Sequence, residues 1–243
     1  MEHQDPNIEV FNRDAASNDG YIYTASTRLS SQLATQRSTD VILETRRFAG
    51  RSVIDMGCGD GFFSIRYWDQ GKPKSMVGID PATQAIEVAN RHKESRPIQF
   101  VVGDAHALPY GDGEFDVALL QSVLHHDDRP SDLIREAFRV AREVIIHEPN
   151  GNNLGLKVIE KLSPYHREHA EKSYGSRQLR RWMEENGGRI VHQRFAGFVA
   201  MFSPPWLARA MKAVEPMLEA MPGLNALGCA VVTLVATRAK SGE

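Results

Sequence analysis

A chain of 243 residues in which 42% are hydrophobic carries enough apolar side chain for one α/β domain with a sizeable core. Lys plus Arg number 29 against 31 Asp plus Glu, a net charge of −2, so no overall basic footprint points to DNA or RNA. The two cysteines, Cys58 and Cys229, have neither zinc nor disulfide-framework spacing, the opening MEHQDPNIEV lacks a basic, apolar leader pattern, and no stretch approaches about 18 apolar residues; the expectation is a cytoplasmic protein without a membrane span.

Residues 1 to about 40 are polar, interrupted by Tyr21-Ile22-Tyr23, and read as a loose arm followed by a helix over about 30–48 with Leu29, Leu33, Val41, Ile42 and Phe48 as its apolar positions. The run VIDMGCGDGFF at 53–63 organises the rest of the chain. Val53, Ile54 and Met56 make a short buried strand, Gly57, Gly59 and Gly61 a hinge, and Phe62 starts a helix. Glycine tolerates positive φ and has no Cβ, so a ligand can lie directly against the main chain. The dinucleotide fingerprint G-x-G-x-x-G would need glycine where Phe62 stands, and Asp55 and Asp60 would both repel a pyrophosphate. An acidic loop suits a cation, and S-adenosylmethionine carries a sulfonium and an ammonium group.

An acid followed by G-x-G-x-G resembles motif I of the class I S-adenosylmethionine-dependent methyltransferases. The resemblance implies that Asp55, Gly57, Cys58 and Gly59 line a cofactor cleft. Arms in that family often cap the cleft, which leaves Tyr21 or Tyr23 two roles: lying over the ligand, or packing the arm onto the domain. The next strand, 75–80, ends in Asp80, an acid about 20 residues beyond the glycines, where a ribose diol is held. Pro81 follows it, then a helix over 83–91 with Ile86 and Ala89 facing inward. The third strand, 98–102, leads into Gly103-Asp104-Ala105. By resemblance this is the adenine clamp, with the Asp104 carboxylate and the amide beside it at Ala105 meeting the base; the residue type alone equally suits a turn or cap aspartate.

The fourth strand covers 115–120. The run GDAHALPYGDGEFDVALLQSVLHH at 103–126 is similar to the corresponding segment of the branch that includes ubiquinone-biosynthesis C-methyltransferases and many small-molecule O- and N-methyltransferases. That similarity implies contact of Gln121 with the methionine end of the cofactor. His125 and His126 are the best-placed proton acceptors, since histidine titrates near neutral pH, with His147 and Glu148 as weaker ones. A helix over 129–142 meets a fifth strand over 143–147, where Ala141-Arg142-Glu143 replaces the Lys-Pro-Gly-Gly turn usual in this branch. An insertion over 150–175, with a short helix near 154–162, precedes a helix over 177–186 that Ser176 can cap and Gly187-Gly188 ends. A sixth strand over 189–198 is followed by a second insertion, 199–227, whose helix starts at Ser203-Pro204-Pro205 and is broken or restarted by Pro216. The last strand covers 229–237. The resemblance implies a Rossmann-like, doubly wound α/β domain spanning 1–243, its seven-stranded sheet mostly parallel with an antiparallel last strand, its cofactor core at 51–149 and its two insertions forming a helical lid.

Neither the His125-His126-Asp127-Asp128 run nor His166 with His169 has the spacing of a helical zinc site, so no metal is expected. SPPW at 203–206 imitates the signature of amino-group methyltransferases but lies far from the fourth strand, where that signature belongs, and reads as a proline-initiated helix. Met201, Phe202, Trp206, Met211, Met217 and Met221 give the second insertion an adaptable apolar surface, either a lid packed on its own domain or a face for a lipid-like substrate at a membrane surface. The sequence thus points to methyl transfer from S-adenosylmethionine to a small-molecule or lipid-like acceptor. An NAD(P)-binding oxidoreductase and a non-catalytic ligand-binding protein on the same fold are the alternatives.

Overall fold

The computed structural model describes residues 6–157 and 172–239. In chain order it runs α1 (Pro6–Asn18), α2 (Leu29–Leu43), β1 (Ser52–Met56), α3 (Phe62–Gly71), β2 (Ser75–Asp80), α4 (Thr83–His92), β3 (Ile98–Val102), β4 (Phe115–Gln121), a 3-10 turn (Leu124–His126), α5 (Pro130–Val140), β5 (Ala141–Pro149), α6 (Ser176–Glu185), β6 (Gly188–Ala196), α7 (Pro205–Ala220), α8 (Leu224–Gly228) and β7 (Val231–Arg238).

The seven strands form one sheet in the order β3-β2-β1-β4-β5-β7-β6. β1, β2, β3, β4 and β5 are mutually parallel, and β7 runs antiparallel between β5 and β6. The central strands are apolar at successive positions because both faces are covered. Val53, Val117, Leu119, Ile145 and Val235 pack with α2, α3 and α4 through Val41, Ile42, Tyr67 and Ile86. Ile54, Leu120, Ile146 and Leu234 pack on the opposite face with Leu133 and Ile134 of α5 and Leu179 and Met183 of α6. The chain reverses its direction across the sheet between β1 and β4, and in open α/β sheets ligands bind beyond the strand ends at that reversal.

Several expectations are corrected. The arm is not loose: Pro6–Asn18 is a helix, and Ala15 and Phe11 pack against Ala82, Ala85 and Val88 at the start of α4. α2 ends at Leu43, before Phe48, which instead packs under the sheet. β5 needs no turn at all, since α5 ends at Val140 and Ala141 is already extended, with φ −130 and ψ 155. Ser176 does not cap α6; the helix begins at that residue, and its hydroxyl accepts from Asn152 Nδ2 at 3.0 Å. α7 continues through Pro216, which lies on the exposed side, where water can satisfy the carbonyl left without its N–H donor. The short helix proposed to reach residue 162 runs out of the described residues, as do His166 and His169.

Candidate functional site

The glycine hinge between β1 and α3 spends its N–H donors on its own chain. Gly57 and Cys58 both donate to the Ile79 carbonyl, at 2.8 and 3.1 Å, and Gly59 donates to Asp80 Oδ2 at 2.9 Å. The other Asp80 oxygen accepts from Ala82 N–H at 2.8 Å, and Asp60 Oδ1 accepts from Phe62 N–H at the first residue of α3. A helix N-terminus behind a glycine loop ordinarily seats phosphate. Here the chain's own carboxylates take the Gly59 and Phe62 N–H groups, two of the donors a pyrophosphate would use.

Three acids therefore surround the hinge, all nearly buried: Asp55, Asp60 and Asp80. Among the described residues none of them forms an ion pair with a Lys or Arg. Burial pushes Asp55 up to about 7 and Asp80 up to about 6, with Asp80 adding to the first and Asp60 to the second by like-charge repulsion; burial raises Asp60 as well. One oxygen of Asp55 accepts from the Ser64 hydroxyl on α3, while the other, Oδ1, is buried with no partner. Desolvated carboxylates that lack a counter-charge are a seat for a cation.

The arm closes this loop from outside. Tyr21 N–H donates to Asp60 Oδ2 at 2.9 Å, the Thr24 hydroxyl donates to the same oxygen, and the Tyr21 ring lies on Gly59, where a Cβ would meet its Cε2 at 2.5 Å. Gly59 has φ +54, so both space and backbone demand glycine there. Of the two roles open to it, Tyr21 takes that of packing the arm onto the domain, at the glycine loop itself, and its ring contacts Phe11 and Tyr23.

The turn after β4 abuts the hinge from the other side: a Cβ on Gly57, φ +84, would lie 2.6 Å from Val123 Cγ2. Glu148 at the end of β5 holds this turn. Its Oε1 accepts from the N–H groups of Val123 and Leu124, both at 2.9 Å, and its Oε2 meets His125 Nδ1 at 2.6 Å. His126 is half-buried, with its ring 3.9 Å from that of His125 and 5.0 Å from Phe11 of the arm. Gln121 is buried, and its Oε1 accepts from Tyr67 OH at 2.6 Å. Asp104 is exposed and its Oδ1 accepts from His106 N–H at 2.8 Å, an aspartate turn; Pro81 is exposed and Ala105 buried.

Sequence reasoning missed a second polar layer. α2 packs against α3, α7, β6 and β7, and beyond its end Arg47 reaches Glu143 near the start of β5. Its buried face is hydroxyl-lined at Ser31, Thr35 and Thr39, a spacing of four that the sequence displays but that apolar counting passes over. Ser30 Oγ, Ser31 Oγ and His147 Nε2 are buried without partners, while His147 Nδ1 pairs with Thr233 Oγ1 at 2.8 Å. Burial drives His147 down to about 3, so it stays neutral and is too weak a base to take a proton at pH 7. His106 was also missed: it pairs with Asp127 at 2.7 Å, a contact that raises its pKa and ties the loop after β3 to the loop preceding α5. Among the described residues no group of three or more His, Cys, Asp and Glu converges as a metal site.

The model of a family described as a methyltransferase domain matches residues 54–144. A transposon-encoded protein of Streptomyces fradiae is 34% identical over 112 residues, covering 44% of this chain and 32% of its own. An "uncharacterized methyltransferase" of Mycobacterium tuberculosis is 32% identical over 93 residues, covering 38% and 36%. The chain thus spans about a third of the length of these curated relatives. Among solved structures, a chain of the "complex between the Haloferax volcanii Trm112 methyltransferase activator and the putative methyltransferase" superposes with a TM-score of 0.68 at 15% identity, over 95% of this chain and 98% of that one, a likeness of fold.

Proposed function

We propose that this chain, which carries a methyltransferase domain at residues 54–144, binds S-adenosylmethionine at the hinge between β1 and α3 and directs its methyl group to a small-molecule or lipid-like acceptor. The observation that carries this reading is the set of three buried acids without a counter-cation among the described residues, around a loop whose Gly57, Cys58, Gly59 and Gly61 N–H groups are already spent on the chain itself. A cationic nucleoside fits such a loop, and a dinucleotide pyrophosphate does not. When bound, S-adenosylmethionine supplies an activated methyl group on a sulfonium.

The chain's residues then divide by position. Asp80, already fixed by two backbone donors, offers its remaining lone pairs to a ribose diol, and Asp104 with Ala105 stands at the adenine end. Asp55 Oδ1 and Gln121 supply polar atoms toward the methionine end. The glycines at 57 and 59 leave the main chain bare, with Cys58 between them. Near-attack positioning alone contributes about 7–11 kcal/mol to such a displacement, so holding the acceptor is the main task. Ser30 and Ser31 of α2 and neutral His147, whose buried Oγ and Nε2 atoms have no partner among the described residues, offer an acceptor hydrogen bonds without adding charge. His126 takes the proton when the acceptor is a hydroxyl, with Glu148 fixing its neighbour His125.

His126→Ala is accordingly expected to lower turnover of a hydroxyl acceptor by about 100-fold while leaving cofactor affinity unchanged. Labelled-methyl transfer over a panel of hydroxyl, amine and activated-carbon acceptors reads this out, and it tests the activity itself. Unchanged turnover on the hydroxyl acceptors that the wild type uses removes His126 from proton transfer.

Proton release supplies an independent check on the loop. A bound cation favours the ionised forms of Asp55 and Asp80, which lie near 7 and 6 in the empty loop. Calorimetry at pH 6 in two buffers of different ionisation heat is expected to show release of about one proton per cofactor bound, falling towards none at pH 8.5. The sign for the unliganded protein is the reverse of an ordinary salt-bridged acid. Folded-state values raised above the unfolded ones mean that the folded chain binds the extra protons, so these groups lower stability as pH rises from about 4 through 7.

A further inference from the structure

The second insertion presents an outward surface that the site does not use. Along α7 and α8, Trp206, Val214, Met217, Met221, Leu224 and Leu227 are all exposed, with Trp206 at 69% and Met217 at 63%. Their spacing of three, four and eight residues sets those of α7 along one side of the helix, and Ala210 and Ala213, also exposed, fill the gaps in the stripe. The carboxylates of α7 are turned the other way. Glu215 is buried, accepting from Phe198 N–H and pairing with Lys212, and Glu219 accepts from Gly197 N–H and is clamped by Arg37 and Arg194. What α7 shows to solvent is thus apolar, flanked by the exposed cation Arg209 and containing no acid, while Lys212 is held on the other side by Glu215. Beyond its start, Phe202 is exposed beneath the Arg28 guanidinium, 5.8 Å above the ring.

We infer that the α7–α8 stripe is a peripheral docking surface for an anionic lipid bilayer. The apolar side chains sink into the acyl boundary, Trp206 takes the interfacial position that suits its amphipathic ring, and the exposed Arg209, with Arg28 beside Phe202, meets anionic headgroups. Charge selects this occupant over a second copy of the chain. Two-fold packing of the stripe on itself would set the same cations near one another while the α7 acids stay buried underneath. Position supports it as well. A groove of about 530 Å³ bordered by Ile22, Ala25, Arg28 and Phe202 opens between the arm and the start of this insertion, so a docked molecule would place that groove near the lipid surface. This deepens the lipid-like acceptor reading, and rests on it only for what would be methylated.

Co-sedimentation of the full chain with phosphatidylcholine vesicles, and with about 3:1 phosphatidylcholine to phosphatidylglycerol vesicles, tests the surface. The wild type is expected to pellet with the anionic vesicles and much less with the neutral ones. Trp206→Ser with Met217→Ser, both on exposed side chains, is expected to lower the partition coefficient about tenfold, and Arg209→Glu at least about fivefold on anionic vesicles alone. Titration of the same samples with S-adenosylhomocysteine confirms that each variant is folded, and it separates the two ideas. Absence of that heat in the wild type defeats the methyl-transfer reading while leaving the vesicle result standing. Absence of wild-type pelleting, variants that partition like the wild type, or a dimer that the double variant splits into monomers overturns the docking surface.

Discussion

Asp80→Ala is expected to abolish cofactor binding over the accessible concentration range, raising Kd by at least about 100-fold. Two losses combine. Hydrogen bonds from a charged carboxylate are worth about 1.5–3 kcal/mol each, and a ribose diol offers two. The N–H groups of Gly59 and Ala82, which the carboxylate holds at 2.9 and 2.8 Å, also lose their acceptor, so the hinge loses its shape. Asp80→Asn separates the two effects. The amide keeps an acceptor for one N–H and the same volume, so the melting temperature should fall less than in the alanine variant, whereas affinity for S-adenosylhomocysteine should still drop at least about tenfold. Wild-type affinity in the asparagine variant would show that the carboxylate never meets the ligand.

The second large effect is expected at Glu148. Its two oxygens serve three donors: two main-chain N–H groups of the turn after β4 and His125 Nδ1. Glu148→Ala leaves all three buried partners unsatisfied, a cost of about 3–5 kcal/mol, which for a chain of this size lowers the melting temperature by about 10 °C or more. Glu148→Gln is the informative change. Its oxygen can still accept from the turn, so most stability should remain, but its amide group forces the opposite hydrogen-bond role on His125 Nδ1 and so changes the tautomer presented beside His126. The expected signature is a fall in kcat with an unchanged cofactor Kd. A glutamine variant that melts and turns over like the wild type would show that the carboxylate's charge has no part in the site.

The centre of the sheet was legible because β1, β2 and β4 are short, mostly apolar on both faces and bounded by turn residues. The run from Val53 to Phe63 spells a strand, a hinge and a helix in eleven letters, and it recurs in the structure with β1 at Ser52–Met56 and α3 starting at Phe62. The acids at the strand tips could be read as well, since their sequence positions alone put Asp55 and Asp80 beside the hinge. Less local features escaped. α1 carries few apolar residues, and its buried contacts, Phe11 and Ala15 on the start of α4, exist only once the chain has folded back. The boundary between α5 and β5 has no glycine or proline to mark it. Pro216 reads as a helix breaker until the exposure of its side of α7 is known. In the site, Glu148 and His147 read alike as weaker proton acceptors, but alternation along β5 sends the two to opposite faces, one to the His125 turn and the other to Thr233.

The arm shows how the pieces depend on one another. Asp60 accepts from the Phe62 N–H at the start of α3 with one oxygen and latches Tyr21 and Thr24 with the other. A residue that reads in the sequence as part of an acidic loop therefore also fixes the cover over that loop. The polar face of α2 was visible as Ser31, Thr35 and Thr39, but only the structure shows that Thr35 and Thr39 donate back to carbonyls of their own helix while Ser31 Oγ is buried without a partner among the described residues.

The proposed cofactor choice depends most on the electrostatics of the hinge: buried negative groups, and glycine-loop N–H groups taken up by the chain's own acceptors, which favour a sulfonium nucleoside. Isothermal titration of the wild-type chain with S-adenosylmethionine, S-adenosylhomocysteine and NAD tests it directly. Saturable heat with the first two and none with NAD is the predicted result; heat with NAD alone, or with none of the three, contradicts it.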